Sequence, residues 1–416
     1  MGTTRSFQDM LNEFLNYDLM KEELIKRDWL LSNMEIIDGW KGGTVPVPFE
    51  GAQASSLKYG GLTSDSDIAE YDYVRGQITA MPEVWGTLKF NHRDLMEHDG
   101  KVSEKSFLKI LPGQIENFLQ HMKECVSEDL LNGPKVAVVT DDTNAATGIM
   151  IVDRVEKFIL GQKWVLIDDN SAQVEVYVTA IDLNTSQVTF SLTRGGAAAN
   201  LSAYTVAQNA RFYRDGVLVG GVVTNAFASL RDGLLSAANG GSASLYGQSK
   251  LAFPYLQAIN VSGASVTSSN ILGKLFDGYN EVRKKARGNA NKIVMSYRNM
   301  GWVMAAIETQ KGAFKVSPVT SKASLYGWTE IELTSVKGNL TIIAVQELRD
   351  DVIMFLDMSA FKFLTNGMFK KRTAPDGKQY YEVRGTSGYS YLLDMCLFGE
   401  FVLHAPTKCG IMHSIP

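Results

Sequence analysis

The residues that could do chemistry in this chain are few and lie far apart in the sequence. They are five histidines (His92, His98, His121, His404 and His413) and three cysteines (Cys125, Cys396 and Cys409). No CxxC pair and no zinc-ligand spacing occurs among them. Three separated cysteines do not make a disulfide framework, so we expect free thiols in a reducing compartment.

Charged residues form two kinds of cluster that could bind or catalyse. Glu128 and Asp129 are adjacent carboxylates, but consecutive helical residues do not face each other, so a general acid–base pair is not expected. Lysine and arginine gather at residues 284–287 and 370–372. For these we predict a solvated face or a charge partner on another subunit, with contact to a nucleic-acid backbone as the alternative.

The short motifs of common enzyme families are absent from the sequence. It contains no G-x-G-x-x-G, no G-x-x-x-x-G-K-[ST], no H-E-x-x-H and no G-x-S-x-G. We therefore predict no catalytic residue, no cofactor-binding residue and no metal ligand. A structural subunit that assembles with copies of itself is the interpretation that these absences favour.

Composition indicates a folded chain with more than one lobe. The 416 residues exceed the usual size of one domain, and 45% of them are apolar. The net charge of −4 argues against a dedicated nucleic-acid-binding protein with a strong basic field. No segment approaches the ~18 apolar residues of a membrane helix, and the first residues lack the apolar core of a signal peptide.

One long helix, predicted for residues 103–133, organises the chain. Apolar residues recur along it at steps of three and four: Ile115, Phe118, Leu119, Met122, Val126 and Leu130. The other face is polar, which is typical of a helix lying across a sheet. Pro112 is compatible with the first helical turn, and Asn132-Gly133-Pro134 is a stop signal.

Glycine and proline punctuate the segment before this helix. Residues 44–49 carry two prolines, which exclude a central strand, and residues 68–81 alternate as a return strand. Together they predict a long two-stranded hairpin with a polar tip near residues 55–67. Such a hairpin is marginally stable alone, so we expect it to lie on a neighbouring subunit.

Residues 7–33 predict an apolar helix, either in the core or as an arm on a neighbour.

Residues 151–215 predict a separate small β unit. Four or five short strand-like runs alternate there with turn residues, which favours a small barrel inserted at a loop of the main fold. Beyond it we predict helices at 225–238, 271–287 and 297–308, and strands at 292–296, 329–333, 340–347, 351–357 and 400–404. Residues 389–397 are a further apolar run. The last residues are expected to form a polar tail.

The order of these segments resembles that of the major capsid protein of tailed bacteriophages, the Hong Kong 97 type fold. The resemblance rests on TVPVPFEG in the extended loop, on the long helix ending in LLNG, and on the helix–strand–helix NILGKLFDGYNEVRKKARGNANKIVMSYRNMGWVMAAI. It implies an α+β fold with these parts: N-terminal arm 1–38, extended loop 39–82, peripheral domain with spine helix 83–134, axial domain 135–150 and 216–353, inserted β domain 151–215, peripheral return 354–400, and C-terminal strand and tail 401–416.

The resemblance also implies a function and a set of partners. Many copies would assemble as hexamers and pentamers into the icosahedral shell of a virion, enclosing double-stranded DNA that they contact non-specifically. Further implied partners are a portal, a decoration protein and a separate scaffolding protein, since no long helical prefix precedes the arm. Assembly would take place in the cytoplasm of a bacterial host, with no membrane and no cofactor.

Some members of this family crosslink a lysine of the extended loop to an asparagine of a neighbour. Lys58 near the loop tip and Asn366 are the corresponding candidates, but no carboxylate base can be assigned beside them. Three alternatives remain for the whole protein. One is another repetitive virion component such as a tail tube, which would have fewer helices and no spine helix. An encapsulin nanocompartment shares the fold and stores enzymes instead of DNA, and an enzyme with an inserted β domain would need a pocket with clustered titratable groups.

Overall fold

The structure is a computed structural model that describes residues 25, 28–40, 43–49, 75–79, 81–91, 104–170, 172–285, 288–309, 330–335, 338–367, 369–371, 381–385 and 388–416. The chain divides into two compact units. The main unit comprises Met1–Ser127 and Leu230–Pro416, and the barrel unit comprises Glu128–Ser229. Each unit is described by itself below.

The described helices and strands follow in chain order. The helices are α1 Trp29–Asn33, α2 Glu104–Asn132, α3 Leu230–Leu234, α4 Ile271–Lys285 and α5 Tyr297–Thr309. The strands are β1 Glu35–Asp38, β2 Val45–Pro48, β3 Arg75–Ile78, β4 Glu83–Asn91, β5 Lys135–Asp141, β6 Ile149–Val152, β7 Lys163–Ile167, β8 Gln173–Asp182, β9 Gln187–Ser191, β10 Arg211–Arg214, β11 Leu218–Val219, β12 Val222–Val223, β13 Ser244–Leu245, β14 Gln248–Ser249, β15 Ile259–Ser262, β16 Lys292–Met295, β17 Glu330–Ser335, β18 Gly338–Ala344, β19 Val352–Leu356, β20 Phe361–Thr365, β21 Phe369–Lys371, β22 Tyr381–Gly385, β23 Gly388–Phe398, β24 Glu400–Leu403 and β25 Gly410–His413.

A six-stranded mixed sheet forms one hydrophobic core of the main unit. Its order is β15-β25-β19-β16-β18-β17. Helices α4 and α5 cover one face, where Leu275 and Val303 pack with Ile293 and Phe355 of the strands. Every residue of β19 is buried, because both faces of the sheet are covered and the strand accordingly reads as one continuous apolar run.

Local signals set where the helices begin and end. Ser296 precedes α5, and its Oγ accepts a hydrogen bond from the Asn299 amide at 3.4 Å, as an N-cap serine does. Helix α2 ends where Gly133 adopts a φ of 89° and donates to the Asp129 carbonyl at 3.0 Å. Pro134 then prevents continuation. These ends agree with the stop signal read from the sequence.

Two smaller sheets and two hairpins, β2–β3 and β13–β14, accompany the large sheet in the described residues of the main unit. Strand β23 pairs with β4 along one edge and with β21 and β22 along the other, and β20 lies between β1 and β24. Strands β2 and β3 pair antiparallel, with Val45 opposite Ile78 and Pro48 opposite Arg75. These strands are the stem of the predicted extended hairpin, whose tip lies outside the described residues.

The barrel unit is a closed six-stranded barrel of order β10-β5-β6-β9-β8-β7. Four aromatic side chains fill its interior: Phe158, Trp164, Phe190 and Phe212. The rings of Phe190 and Phe212 stack with centroids 4.8 Å apart, and Phe158 lies 4.7 Å from Trp164. Aromatic rings bury much area each, which gives a small barrel a real core.

The barrel begins earlier than the sequence predicted. Strand β5 was assigned to the axial domain (135–150), with the insertion starting at residue 151. In the structure β5 pairs with β6 on one side and with β10 on the other. Without β5 the sheet could not close, so the physical boundary of the barrel lies at the end of α2. Closure joins strands distant in sequence, which local patterns do not reveal.

Three other expectations differ from the structure. The helix predicted at 225–238 is only the short α3, because Ser236 adopts an extended conformation and a 3-10 turn follows at Ala237–Asn239. Pro112 lies inside α2 and not in its first turn. The predicted polar tail is strand β25, an interior strand of the large sheet.

Two domain borders also shift. Strand β19 crosses the predicted border between 353 and 354 and belongs wholly to the large sheet, and β1 of the predicted arm pairs with β20. The rest of the arm helix lies almost entirely outside the described residues. Within the described part of the chain, no helix has both the length and the apolar character needed to cross a membrane.

Candidate functional site

The structure brings one pair of the candidate reactive side chains within hydrogen-bonding distance and buries two of the three cysteines. His121 and Cys125 lie one turn apart on α2, with Nε2 and Sγ separated by 3.8 Å. Cys396 and Cys409 are buried, and burial raises the pKa of the Cys409 thiol to about 12, the opposite of an activated nucleophile. His92 lies outside the described residues, as do His98 and Lys58. Among the described residues, no group of three or more His, Cys, Asp or Glu could hold a metal ion.

The predicted basic clusters are also separate. Lys285 pairs with Glu281 one turn earlier on α4, which neutralises part of the first cluster. Lys370 and Lys371 belong to β21, which pairs with β23 and is not part of the large sheet that α4 covers.

Glu128 and Asp129 are buried, yet both are neutralised by cations of the barrel unit. Arg214 donates from Nη2 to Glu128 Oε2 at 2.8 Å and from Nη1 to Asp129 Oδ1. Arg154 bonds to Glu128 as well, and Lys157 Nζ lies 3.8 Å from it. Burial raises the pKa of Asp129 to about 6, although the charge of Arg214 opposes this shift. These carboxylates are therefore held in ion pairs within the barrel unit.

The stem of the extended hairpin rests in a socket formed by the β13–β14 turn. The Phe49 ring stacks on Tyr246, with centroids 6.2 Å apart and an interplanar angle of 21°. The Gln77 amide donates to the Tyr246 carbonyl at 3.0 Å, and Gln248 Nε2 donates to the Arg75 carbonyl at 3.0 Å. Both strands of the stem are thus attached to the main unit.

Tyr246 extends this socket to strand β24. Its hydroxyl donates to the Phe401 carbonyl at 2.9 Å and accepts from the Leu403 amide at 2.8 Å. Burial raises the pKa of this hydroxyl, and the nearby charge of Glu400 adds to the effect, so it remains a neutral donor. Sequence reasoning missed Tyr246, because Tyr-Gly is an unusual turn pair that no hairpin rule selects.

Strand β4 presents different faces to the protein and to solvent. A Cβ at Gly86 would collide with the Phe118 ring of α2, so the glycine allows helix and strand to approach closely. The preceding residue, Trp85, points to the opposite face of the strand. It is 50% exposed, and its ring stands edge-on to Phe398, with ring centroids 6.3 Å apart. Exposed tryptophan is typical of a surface that contacts another protein.

A second exposed apolar surface lies in the barrel unit. Strands β11 and β12 form a small hairpin around Gly220 and Gly221, and Val219 and Val222 are 63% and 65% exposed. Val223 is exposed beside them. The sequence analysis overlooked this hairpin, although two apolar pairs around Gly-Gly are a recognised hairpin signal.

Asp28 is a fully buried carboxylate that attaches α1 to α2. It accepts from the Leu31 amide at 2.7 Å as the N-cap of α1, and Ser127 Oγ of α2 donates to it. Lys123 of α2 bonds Glu347 at 2.7 Å in the same cluster. Burial is the main cause that raises the pKa of Asp28 to about 7, and the negative charge of Glu347 adds to it. The hydrogen bond from the Leu31 amide and the positive charge of Lys123 lower the pKa in part.

This raised pKa gives a testable pH dependence. Asp28 binds its proton more tightly in the folded chain, so the free energy of unfolding should fall as pH rises from about 4 to about 7. In Asp28→Asn the side-chain oxygen can still accept from the Leu31 amide, and the side-chain NH2 group can donate to Ser127 Oγ. The variant carries no charge at this position. We expect it to flatten that pH dependence and to stabilise the chain by about 1–3 kcal/mol at pH 8.

Urea unfolding at pH 5 and pH 8 checks this result, with Asp28→Ala as the matched control that loses the cap and should be less stable at both pH values. Equal destabilisation by Asn and Ala at pH 8 would contradict the expected effect of the buried charge.

Two capsids and an encapsulin complex are among the solved structures to which this chain is similar. The capsid of a native GTA particle matches with 8% identity over 94% of this chain and 91% of that chain, at a TM-score of 0.44. The capsid of cyanophage A-1(L) matches with 11% identity over 100% of this chain and 95% of that chain, at a TM-score of 0.41. An encapsulin complex from Synechococcus elongatus matches with 8% identity over 100% of this chain and 92% of that chain, at a TM-score of 0.36.

No protein-family model and no curated protein matches the sequence. All three TM-scores lie below 0.5, so the proposal that follows rests on the elements of this chain itself.

Proposed function

We propose that this chain is the major capsid protein of a tailed bacteriophage, which assembles into a closed icosahedral shell around double-stranded DNA. The observation that carries the proposal is the hairpin stem β2–β3, whose strands pair only with each other among the described residues. A two-stranded ribbon is marginal in water. It gains stability when the rest of the hairpin lies on a neighbouring copy.

The order of elements supports the same function. After the hairpin stem come β4, the 29-residue helix α2, the barrel, the large sheet with α4 and α5, and finally the return strands β20–β24. This is the order that the resemblance implies for arm, extended loop, spine helix, axial domain and peripheral return. At ~1.5 Å per residue, α2 is about 43 Å long.

Exposed apolar surfaces supply further contacts in this proposal. Trp85 and the valines of the β11–β12 hairpin are left in water in a single chain. Each subunit of a shell has several neighbours, and an interface of ~800 Å² per partner is standard. Individually modest contacts can therefore hold many copies together in hexamers and pentamers.

The buried titratable groups do not favour the enzyme alternative. Glu128 and Asp129 are neutralised by arginines, Glu347 by Lys123, and Asp28 caps a helix. An enzyme would be expected to direct such groups into a shared pocket. We propose that the chain performs no catalysis.

The proposed partners are other copies of the chain, a portal, a scaffolding protein and a decoration protein. Contact with DNA would be non-specific, since a net charge of −4 gives no strong attraction for phosphate. The proposed location is the virion, with assembly in the host cytoplasm.

Electron microscopy of the purified chain tests the proposal directly. We expect closed shells or tubes tens of nanometres across, formed by the chain alone or with a co-expressed scaffolding protein. A stable monomer under both conditions would contradict it. Particles isolated from the native host would contain DNA in a phage capsid and protein cargo in an encapsulin.

Removing the hairpin should separate folding from assembly. We expect a chain with residues 44–78 replaced by a short Gly-Ser linker to stay folded, because the large sheet and the barrel do not include those residues. It should fail to form stable shells. Circular dichroism and light scattering measure the two properties, and normal particles from this variant would contradict the role of the hairpin.

A further inference from the structure

The turn between β13 and β14 holds a tyrosine where such turns favour asparagine or glycine. Leu245 pairs with Gln248, so Tyr246 and Gly247 are its two central residues, with φ of 48° and 82°. Positive φ at both positions is the type I′ arrangement, in which Asn-Gly is preferred because larger side chains are strained. The conformation of Tyr246 therefore persists because its contacts hold it.

Those contacts join two separate elements. On one side the Tyr246 hydroxyl is bonded to the backbone of Phe401 and of Leu403. On the other side the ring stacks on Phe49 and the carbonyl accepts from Gln77. One residue thus connects strand β24 with β3 of the hairpin stem and with Phe49, which directly follows β2.

Gly76 shows how closely the stem approaches this residue. A Cβ at Gly76 would lie 2.7 Å from the Tyr246 Cβ and 3.0 Å from the Phe49 ring. Its φ is not in the left-handed region, so the glycine is required for space and not for backbone conformation. Close backbone approach at a glycine fixes the stem in one orientation.

We propose that Tyr246 is the positioning residue that sets the direction of the extended hairpin by clamping its stem to β24. The inference rests on the proposed function, because the direction of the hairpin decides which neighbouring copy it can reach. A ribbon held only by its two chain connections could rotate about them. The strained turn is retained because Asn, though better suited to the turn, could not reach β24 and Phe49 together.

Hydrogen exchange in the unassembled chain tests the clamp without reference to shells. Tyr246→Asn suits the turn but removes ring and hydroxyl, and we expect the Gln77 amide to exchange about tenfold faster. Tyr246→Phe keeps the ring and should give an intermediate increase. The control Tyr177→Phe alters a hydroxyl of the barrel unit and should change nothing at Gln77.

A role confined to the turn makes the opposite prediction. Asn relieves the strain, so the Gln77 amide would then exchange at the same rate or more slowly. Either result in Tyr246→Asn would overturn the proposal. The midpoint of urea unfolding should change little, which excludes global destabilisation as the cause of faster exchange.

Assembly gives the second readout. If the wild-type chain forms shells, Tyr246→Asn should reduce the yield of closed shells at least about tenfold while the subunit stays folded, since a misdirected hairpin cannot meet its neighbour. An unchanged yield of normal shells would overturn the clamp and leave the proposed function intact. If the wild-type chain forms none, the proposed function fails and hydrogen exchange alone decides the clamp.

Discussion

Deletion of residues 410–416 is expected to leave a chain whose main unit does not fold. Strand β25 lies inside the large sheet, parallel to β15 and antiparallel to β19. Its loss would leave the facing backbone groups of both neighbours without partners. Ile411, Met412 and Ile415 are buried, and each buried apolar side chain contributes about 1.5–3 kcal/mol. Their sum approaches the whole stability of a typical domain.

Circular dichroism and urea unfolding measure this effect. A milder variant, Ile411→Ala, should remain folded but lose about 2–5 kcal/mol, because it leaves a cavity in the core. Leu251→Ala is the matched control, since Leu251 is 87% exposed and its truncation should change stability by less than about 0.5 kcal/mol. A deletion chain with native ellipticity and cooperative unfolding would contradict the placement of β25.

Elements with strong local signals could be predicted from the sequence. Helix α4 has an apolar stripe at helical spacing, and α5 follows a capping serine directly after a strand of apolar residues. The end of α2 carries its own stop signal at Gly133. In each case the information lies within a few residues of the element, where periodicity and capping act.

Elements defined by distant partners could not be predicted in this way. Strand β5 belongs to the barrel because β10, some seventy residues later, pairs with it. Strand β25 is short, ends at His413 and is followed by Ser414 and Pro416, so its local composition resembles a tail. Its burial comes from β15 and β19, which local sequence does not show.

In the candidate site, too, the part with a local sequence signal could be predicted and the part that depends on distant partners could not. The two prolines of β2 predict a hairpin outside any larger sheet, and the structure has that stem. The socket at Tyr246 could not be found, because it depends on Phe49 and β24 meeting one turn. A tyrosine in a type I′ turn violates the local rule, and such violations are expected where a contact outweighs local preference.

Arg214→Ala is expected to destabilise the barrel unit by about 3–5 kcal/mol at pH 8, since it removes one partner of a buried ion pair. Asp129 would keep its charge in the interior without the arginine that now bonds it. Burial already raises the pKa of Asp129 to about 6 despite Arg214, so the pKa should rise further in the variant. At pH 5 the carboxyl would be protonated in the folded chain, and the loss should be smaller.

Arg211→Ala provides the matched control on the same strand. Arg211 pairs with Asp169 at 3.0 Å, but both side chains are partly exposed, so its loss should cost less than about 1 kcal/mol. The chain has six tryptophans, of which only Trp164 lies in residues 128–229, so hydrogen exchange of the barrel amides, and not total tryptophan fluorescence, reports unfolding of this unit in the full chain. An equal loss for both variants, or a loss for Arg214→Ala that does not shrink between pH 8 and pH 5, would contradict the inference. The carboxylates at the end of α2 would then contribute no more to the barrel than a surface pair.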